Sequence, residues 1–408
     1  MSAPLAVFRV DGGPQIGAGH VVRCRALADE LRQGGWRIAS VCRTSTQASL
    51  GASALPSGRL VNLDDEHADD PDRTGAALGE AANLLVVDHY GLGKSYERGA
   101  RSWADRVLVL DDLSERAHDC DILINPSILK EAETHAENDG RHTLTGPSYA
   151  PLRAAFTRAR FDHLERPSAE VAHLFISFGA TDPANATSLA LDAVAETGFP
   201  GSVDVVLSGG APHLAAIRTK IEALENNVNL HIDPDDIVAI LKKADMSVGA
   251  PGSSAWERCC LGIPTIMVQI ADNQANIATG LDAAGAAEFA GTLESLTAKT
   301  LAEAISALAG DPGRRGIMAT NAARLCDGLG AARIRAYLAG KTHAADGTLL
   351  QLRVATMDDA ALMLEWQSHP QTRRFARNPK APDPETHHEW LRGVLRDPAR
   401  ILCILEAG

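Results

Sequence analysis

Short apolar runs alternate with helical stretches along this chain, and the alternation occurs twice. In the first half the runs lie at 5–10, 38–42, 84–87, 107–110 and 122–124. Runs this short and this continuous suit strands buried on both faces, as in a parallel sheet covered by helices. Helical patterns read between them at 21–33 and 96–104, and Gly34-Gly35 closes the first as a C-terminal stop. The second half repeats the scheme. Its strands read at 172–178, 202–207, 228–232, 246–249 and 265–269, its helices at 185–195, 213–224, 237–243, 254–261 and 273–284. The fold class expected is α/β, with two doubly wound Rossmann-like domains, 1–152 and 169–339, meeting around the charged stretch 153–168. Sheets of this kind bind ligands beyond the carboxyl ends of their strands, so the site is expected in the crevice between the halves.

The texture changes past residue 340. A linker reads at 340–347, followed by a strand at 349–355, helices at 359–369 and 385–395, and a strand at 401–405. This third unit, 349–408, offers a meagre α+β core and reads as one cut short.

Composition narrows the partners. The 408 residues carry a formal charge of −13, with no long basic stripe, which argues against nucleic acid and anionic membrane surfaces. No apolar run reaches the roughly 18 residues of a membrane span, and the N-terminus lacks a basic-then-apolar leader. The seven cysteines are odd in number and never spaced as C-x-x-C, so they read as reduced thiols of a cytoplasmic protein. His387 and His388 are adjacent and not four apart on a helix, and no metal site is expected. A monomer is the expected state.

Four strand-to-helix loops hold the candidate chemistry. In the first, Gly17-Ala18-Gly19 turns into a helix and sets His20 at its mouth. Free N–H groups at a helix start favour anions and disfavour imidazolium, so His20 is expected to be neutral and able to take a proton. The plain alternative is a tight turn with a capping histidine. In the second, Gly179 precedes Asp182-Pro183, which suits either a phosphate cradle or a helix cap by Asp182. In the third, Gly252-Ser253-Ser254 lets backbone approach a pyrophosphate, and Glu257 can accept from both hydroxyls of a ribose. Ser254 and Glu257 also fit a capping box. In the fourth, Asp272-Asn273-Gln274 can bind sugar hydroxyl or acetamido groups, or simply cap a helix. Asp88-His89-Tyr90 ends another strand and faces the same crevice, with His89 open to a purely structural reading.

Taken in order over roughly residues 5–335, these motifs resemble one family. They are I-G-A-G-H-V-V-R-C, V-V-D-H-Y-G-L, D-D-L-S-E-R-A-H-D-C-D, G-P-S-Y-A-P-L-R, I-S-F-G-A-T-D-P-A-N and G-S-S-A-W-E-R-C-C-L-G-I-P with A-D-N-Q. The resemblance is to the UDP-2,4-diacetamido-2,4,6-trideoxy-β-L-altropyranose hydrolases of pseudaminic acid biosynthesis, and to related spore coat polysaccharide proteins. It implies a GT-B fold similar to the MurG glycosyltransferases. It also implies hydrolysis of a UDP-sugar with inversion and no cofactor. His20 then matches the family's catalytic base. Gly179, Gly252, Ser253, Ser254 and Glu257 fall to the nucleotide, and Gly17, Gly19, Tyr90, Asp272, Asn273 and Gln274 to the sugar. The chain departs from the family pattern at Gly179-Ala180, where a glycine pair is common. A GT-B glycosyltransferase using a UDP-sugar donor is the alternative within enzymes, and a UDP-sugar-binding protein the alternative outside them.

The segment from Leu352-Arg353-Val354 through Trp366 to Arg374-Phe375 resembles the start of a GNAT N-acetyltransferase. That fold's glycine-rich Q/R-x-x-G-x-G/A turn is missing, so acetyl-CoA is implied only for a protein carrying the complete domain.

Overall fold

A computed structural model describes residues 3–13, 16–113, 116–128, 142–166, 170–225, 227–339, 341–343, 348–374, 376–396 and 402–407. Parts of six sequence readings fall outside them: Pro14-Gln15 of the first loop, Ser114-Glu115, residues 167–168 of the charged stretch, most of the 340–347 linker, Phe375, and Ile401 of the last strand. The chain divides into two compact units, Met1–Ala331 and Ala332–Gly408.

The first unit holds two sheets. Strands β1 (Leu5–Val10), β2 (Arg37–Arg43), β3 (Arg59–Leu63), β4 (Leu84–Asp88), β5 (Val107–Leu110), β6 (Ile122–Asn125) and β7 (His142–Thr145) pair in the order β3-β2-β1-β4-β5-β6-β7. Every neighbouring pair is parallel. Helices α1 (Gly19–Gln33), α2 (Thr44–Leu50), α3 (Pro71–Leu78) and α4 (Lys94–Ala100) connect them. Strands β1, β4 and β5 are buried along their whole length, because helices cover both faces of the sheet. Fully burying residues such as Val7 and Phe8 stabilises the fold by about 1.5–3 kcal/mol each.

The second sheet repeats the winding. Strands β8 (His173–Ser177), β9 (Ser202–Leu207), β10 (Asn227–Ile232), β11 (Met246–Gly249), β12 (Thr265–Gln269) and β13 (Glu288–Thr292) pair, all parallel, as β10-β9-β8-β11-β12-β13. Its helices are α5 (Ala154–Leu164), α6 (Ala186–Thr197), α7 (Leu214–Ala223), α8 (Ile237–Leu241), α9 (Ser254–Leu261), α10 (Ala275–Ala283), α11 (Ala298–Ala309) and α12 (Pro312–Leu325), followed by α13 (Gly330–Ala339). The charged stretch at 153–168 is more than a meeting point. It carries α5, which buries Phe156 among residues of the second half. Arg160 ties α5 down by donating to the carbonyls of Cys260 at 2.6 Å and Ala323 at 2.6 Å. The chain comes back past its own crossover at Gly330, where a Cβ would lie 2.2 Å from the Ala150 carbonyl.

Several elements depart from the sequence reading. Helix α1 begins at Gly19, so His20 lies inside its first turn. Helix α4 ends at Ala100, and residues 101–103 form turns. A 3-10 turn, Asp272–Gln274, precedes α10. Strands β3, β7 and β13 were not read from the sequence, since none is a continuous apolar run.

The second unit begins within α13, at Ala332, and contains β14 (Lys341–His343), β15 (Leu349–Val354) and β16 (Cys403–Ala407) in an antiparallel sheet, with α14 (Ala360–Ser368), α15 (Pro370–Arg374) and α16 (Pro384–Arg396). Its buried apolar cluster is small: Ala355, Ala360, Met363, Leu391 and Ile404.

Candidate active site

Each sheet reverses its strand order at one place, between β1 and β4 in the first and between β8 and β11 in the second. Loops on either side of such a point diverge and leave a crevice at the carboxyl ends of the strands. His20 follows β1 and Asp88 ends β4, so both stand at the first reversal. Gly179 follows β8 and Gly252–Glu257 follow β11, at the second.

The loop that delivers His20 is fixed from below. Asp11 accepts from the Arg43 amide at 2.7 Å and the Thr46 hydroxyl at 3.0 Å, and pairs with the buried Arg9 at 2.8 Å. Gly12 has no room for a side chain, since a Cβ would meet Leu50 at 2.7 Å. Gly13 and Gly17 then exchange backbone hydrogen bonds of 3.1 and 2.7 Å and close the loop. Gly17 has φ +80°, which glycine adopts without strain.

His20 is 6% exposed, and its Nδ1 lies 2.5 Å from Asp88 Oδ1. Asp88 is completely buried. Burial alone would raise its pKa, yet the Arg23 guanidinium and His20 hold it well below the usual carboxylate range. Asp88 therefore only accepts, so the proton of a neutral His20 must sit on Nδ1. Nε2 keeps its lone pair and has no hydrogen-bond partner among the described residues. This is the tautomer a general base needs.

Arg23, one turn further along α1, grips Asp88 with two bonds, Nε at 2.6 Å and Nη2 at 2.7 Å. Its Nη1 reaches Asp112 at 2.9 Å. Tyr90 donates its hydroxyl to the other Asp112 oxygen at 2.8 Å, and Asn273 Nδ2 donates to the Tyr90 oxygen at 3.3 Å. The Tyr90 ring stands edge-on to His20 with centroids 4.5 Å apart. Burial and the Asp112 carboxylate push the Tyr90 hydroxyl well above its ordinary pKa, so it remains a donor. A line of contacts thus runs from His20 in the first half to Asn273 in the second.

In the second half the two proposed phosphate loops differ. Asp182 occupies the start of α6, accepting from the Ala186 amide at 3.0 Å and the Thr187 amide at 2.8 Å. The N-cap position is Asn185 and not Asp182, and Pro183 lies ahead of the first turn; Asp182 takes the first amides from outside the helix. The start of α9 has no side-chain cap. The capping box expected of Ser254 and Glu257 does not form, because Ser253 is the N-cap and Glu257 falls a position too late. The Ala255 and Trp256 amides turn back onto the carbonyls of Gly252 at 2.8 Å and Ser253 at 3.3 Å, while those of Ser253 and Ser254 have no acceptor among the described residues; helix starts accept anions. Arg258 braces this loop from beneath, donating to the Ala250 carbonyl at 2.7 Å and the Ser254 hydroxyl at 3.2 Å. Glu257 is half-buried and makes no hydrogen bond to a described residue. Burial pushes its carboxyl up to about 7, against the pull of Arg153 and Arg258.

The halves touch where the proposed site lies. A Cβ on Gly19 would stand 3.1 Å from the Ser253 hydroxyl, so the starts of α1 and α9 face each other at close range. Gln274 accepts from the Ile270 amide at 3.0 Å, and its amide nitrogen lies near Gly252. Gly179 and Asp272 are exposed and make no polar contact with the other named residues among those described. His89 is held structurally: its Nδ1 accepts from the amides of Gly91 at 3.0 Å and Leu92 at 3.1 Å, and Nε2 faces Asp11 at 3.2 Å. Among the described residues no group of three or more His, Cys, Asp or Glu is placed to hold a metal ion. No described helix is long and apolar enough to cross a membrane. Sequence reasoning missed Arg23 and Asp112 and gave Asp88 no role of its own. The spacing of His20 and Arg23, three apart on one helix face, was the available signal.

No family model matches the chain. It is 25% identical over 289 residues to the UDP-2,4-diacetamido-2,4,6-trideoxy-β-L-altropyranose hydrolase of Campylobacter jejuni, covering 67% of this chain and 95% of that protein. It is 24% identical over 335 residues to the spore coat polysaccharide biosynthesis protein SpsG of Bacillus subtilis, covering 80% and 96%. An uncharacterised protein of Methanocaldococcus jannaschii is 21% identical over 265 residues, 63% of this chain, and the match spans about half of that protein's length, 54%. Among solved structures, MurG of Acinetobacter baumannii superposes with a TM-score of 0.59 at 13% identity, covering 82% of this chain and 98% of MurG. A putative UDP-N-acetylglucosamine 2-epimerase of Listeria monocytogenes gives 0.53 at 14%, covering 83% and 96%. The fold is that of the GT-B glycosyltransferases: two parallel-sheet, Rossmann-like halves.

Proposed function

We propose that this chain hydrolyses a UDP-sugar, UDP-2,4-diacetamido-2,4,6-trideoxy-β-L-altropyranose, to UDP and the free sugar. The observation that carries the reading is the free Nε2 of His20, set by Asp88 on Nδ1–H, in the first turn of a helix whose start at Gly19 meets Ser253 at the start of α9. The likeness to the Campylobacter hydrolase over 95% of its length supports the choice of reaction. Nε2 takes a proton from water as the water oxygen bonds to the anomeric carbon. The bond from that carbon to the β-phosphate oxygen breaks, its electron pair leaves with UDP, and the configuration inverts. UDP leaves readily without a strong general acid, which agrees with a site whose carboxylates Asp88 and Asp112 are both engaged by Arg23. Amides at the start of α9, with Gly252, Ser253 and Ser254, receive the diphosphate, and Glu257 receives the ribose. Tyr90, Asn273 and Gln274 border the sugar. A positioned base contributes about 10²–10⁴-fold.

A second reading is glycosyl transfer to an apolar acceptor. It is favoured by Ile16 and Val22, exposed on either side of His20. The test is UDP release from the nucleotide sugar with EDTA present and no acceptor. We expect release by the wild type and a loss of about 10²-fold or more in His20→Ala, with UDP still bound. Release only on adding an acceptor overturns the hydrolase reading in favour of transfer.

For the second unit, the acetyltransferase-like reading is also a proposal, supported by the antiparallel β15–β16 pair and by α14 and α16 closing its small cluster.

A further inference from the structure

We infer that Asp112 is a positioning residue that keeps Asp88 free to serve His20. The inference rests on the hydrolase reading for its activity test. Arg23 makes two bonds to Asp88, and a guanidinium paired with that one carboxylate would neutralise it. The imidazolium formed when His20 takes a proton would then be buried beside a neutral pair. A buried charge without compensation is strongly disfavoured. Asp112 changes this balance. It is 9% exposed, receives Arg23 Nη1 at 2.9 Å, and brings a second negative charge to the same guanidinium. Burial opposes its ionisation, but Arg23 and the Tyr90 hydroxyl hold its carboxyl below the usual range. The set Arg23, Asp88 and Asp112 therefore carries one net negative charge, which is cancelled when His20 is protonated. Asp112 also orients Tyr90, whose ring edge meets the His20 ring and whose oxygen receives Asn273. One carboxylate thus serves the charge of the base and the wall of the sugar pocket together.

Asp112→Asn removes the charge and leaves one acceptor oxygen where Tyr90 and Arg23 use two, so one of those two bonds is lost with it. Two measurements decide the matter on the full chain. The first is kcat and KM for UDP release in the wild type, Asp112→Asn, His20→Ala and the double variant. We expect Asp112→Asn to lower kcat about 10- to 100-fold with KM almost unchanged, and to cost nothing further once His20 is alanine. Equal losses in both backgrounds overturn the inference, because a residue that merely supports the fold acts whether or not His20 is present. The second is the downfield proton resonance of His20 Nδ1–H, identified by its absence in His20→Ala. It moves in Asp112→Asn if the two carboxylates act through one guanidinium, and an unmoved resonance overturns the inference. This readout needs no substrate, so a wild type that releases no UDP refutes the hydrolase reading and leaves the resonance to judge Asp112. UDP affinity confirms that each variant is folded. If Asp112→Asn fails that control, Asp112→Ala removes the same charge without setting an amide beside Arg23 and takes the same two measurements, with the same results supporting or overturning the inference.

Discussion

Glu257 stands in the first turns of α9, half-buried, with no hydrogen bond to a described residue. In the sequence it serves a cap as readily as a ribose. In the fold it caps nothing, and burial lifts its carboxyl to about 7, with Arg153 and Arg258 pulling the other way. Because the folded pKa lies above the unfolded one, the native state holds the extra proton, and unliganded stability falls as pH rises from about 4.5 to 7. Nucleotide binding runs the opposite way, since only the carboxylate accepts from two ribose hydroxyls. We expect affinity for the UDP-sugar, measured by calorimetry, to weaken several-fold from pH 8 to pH 6. Glu257→Gln should lower affinity about tenfold at pH 8 and flatten that dependence. His20 and Glu257 were legible because each follows a strand, a glycine-rich turn and a helix start, which is local information. Asp88, Arg23 and Asp112 come together only because β1, β4 and β5 are neighbours in the sheet, and no spacing in the chain states that adjacency.

At the scale of the element, the two helix starts beside the second reversal have opposite fates. Asp182 fills one with its own carboxylate, while at the other no side chain takes the amides. Asp182→Ala should therefore lower stability by about 1 kcal/mol, read from urea unfolding, and leave UDP affinity unchanged. A fall in affinity would mean that α6 takes part in binding after all. Strands β1, β4, β5, β8, β9, β11 and β12 were readable as apolar runs because helices bury them on both faces. Strand β3 buries only Val61 and Leu63, and every residue of β13 is partly exposed, so neither leaves that signature. Helix α5 was hidden in charge: its arginines look like linker residues until Arg160 is seen on the carbonyls of the second half.

For the molecule as a whole, the two compact units differ in what holds them. The first unit closes around large apolar clusters in both sheets. Past α13, the second gathers a cluster of five buried apolar residues, with Val354 and Val394 also buried. Small cores open at lower free energy than large ones. Hydrogen exchange on the intact chain should show amides of α14 and α16 opening at a free energy at least about 2 kcal/mol below those of β1 and β4. Equal protection would mean the units unfold as one cooperative block.

The meeting of Gly19 with Ser253 has a bearing on how such a chain can drift. Any single change at position 19 adds at least one carbon, and that carbon arrives 3.1 Å from the Ser253 hydroxyl. Position 253 has freedom that position 19 lacks, since it can shrink to alanine or glycine. The two positions are therefore coupled in mutational time. A side chain at 19 requires the Ser253 hydroxyl to turn aside, and a loss of bulk at 253 removes that demand in advance.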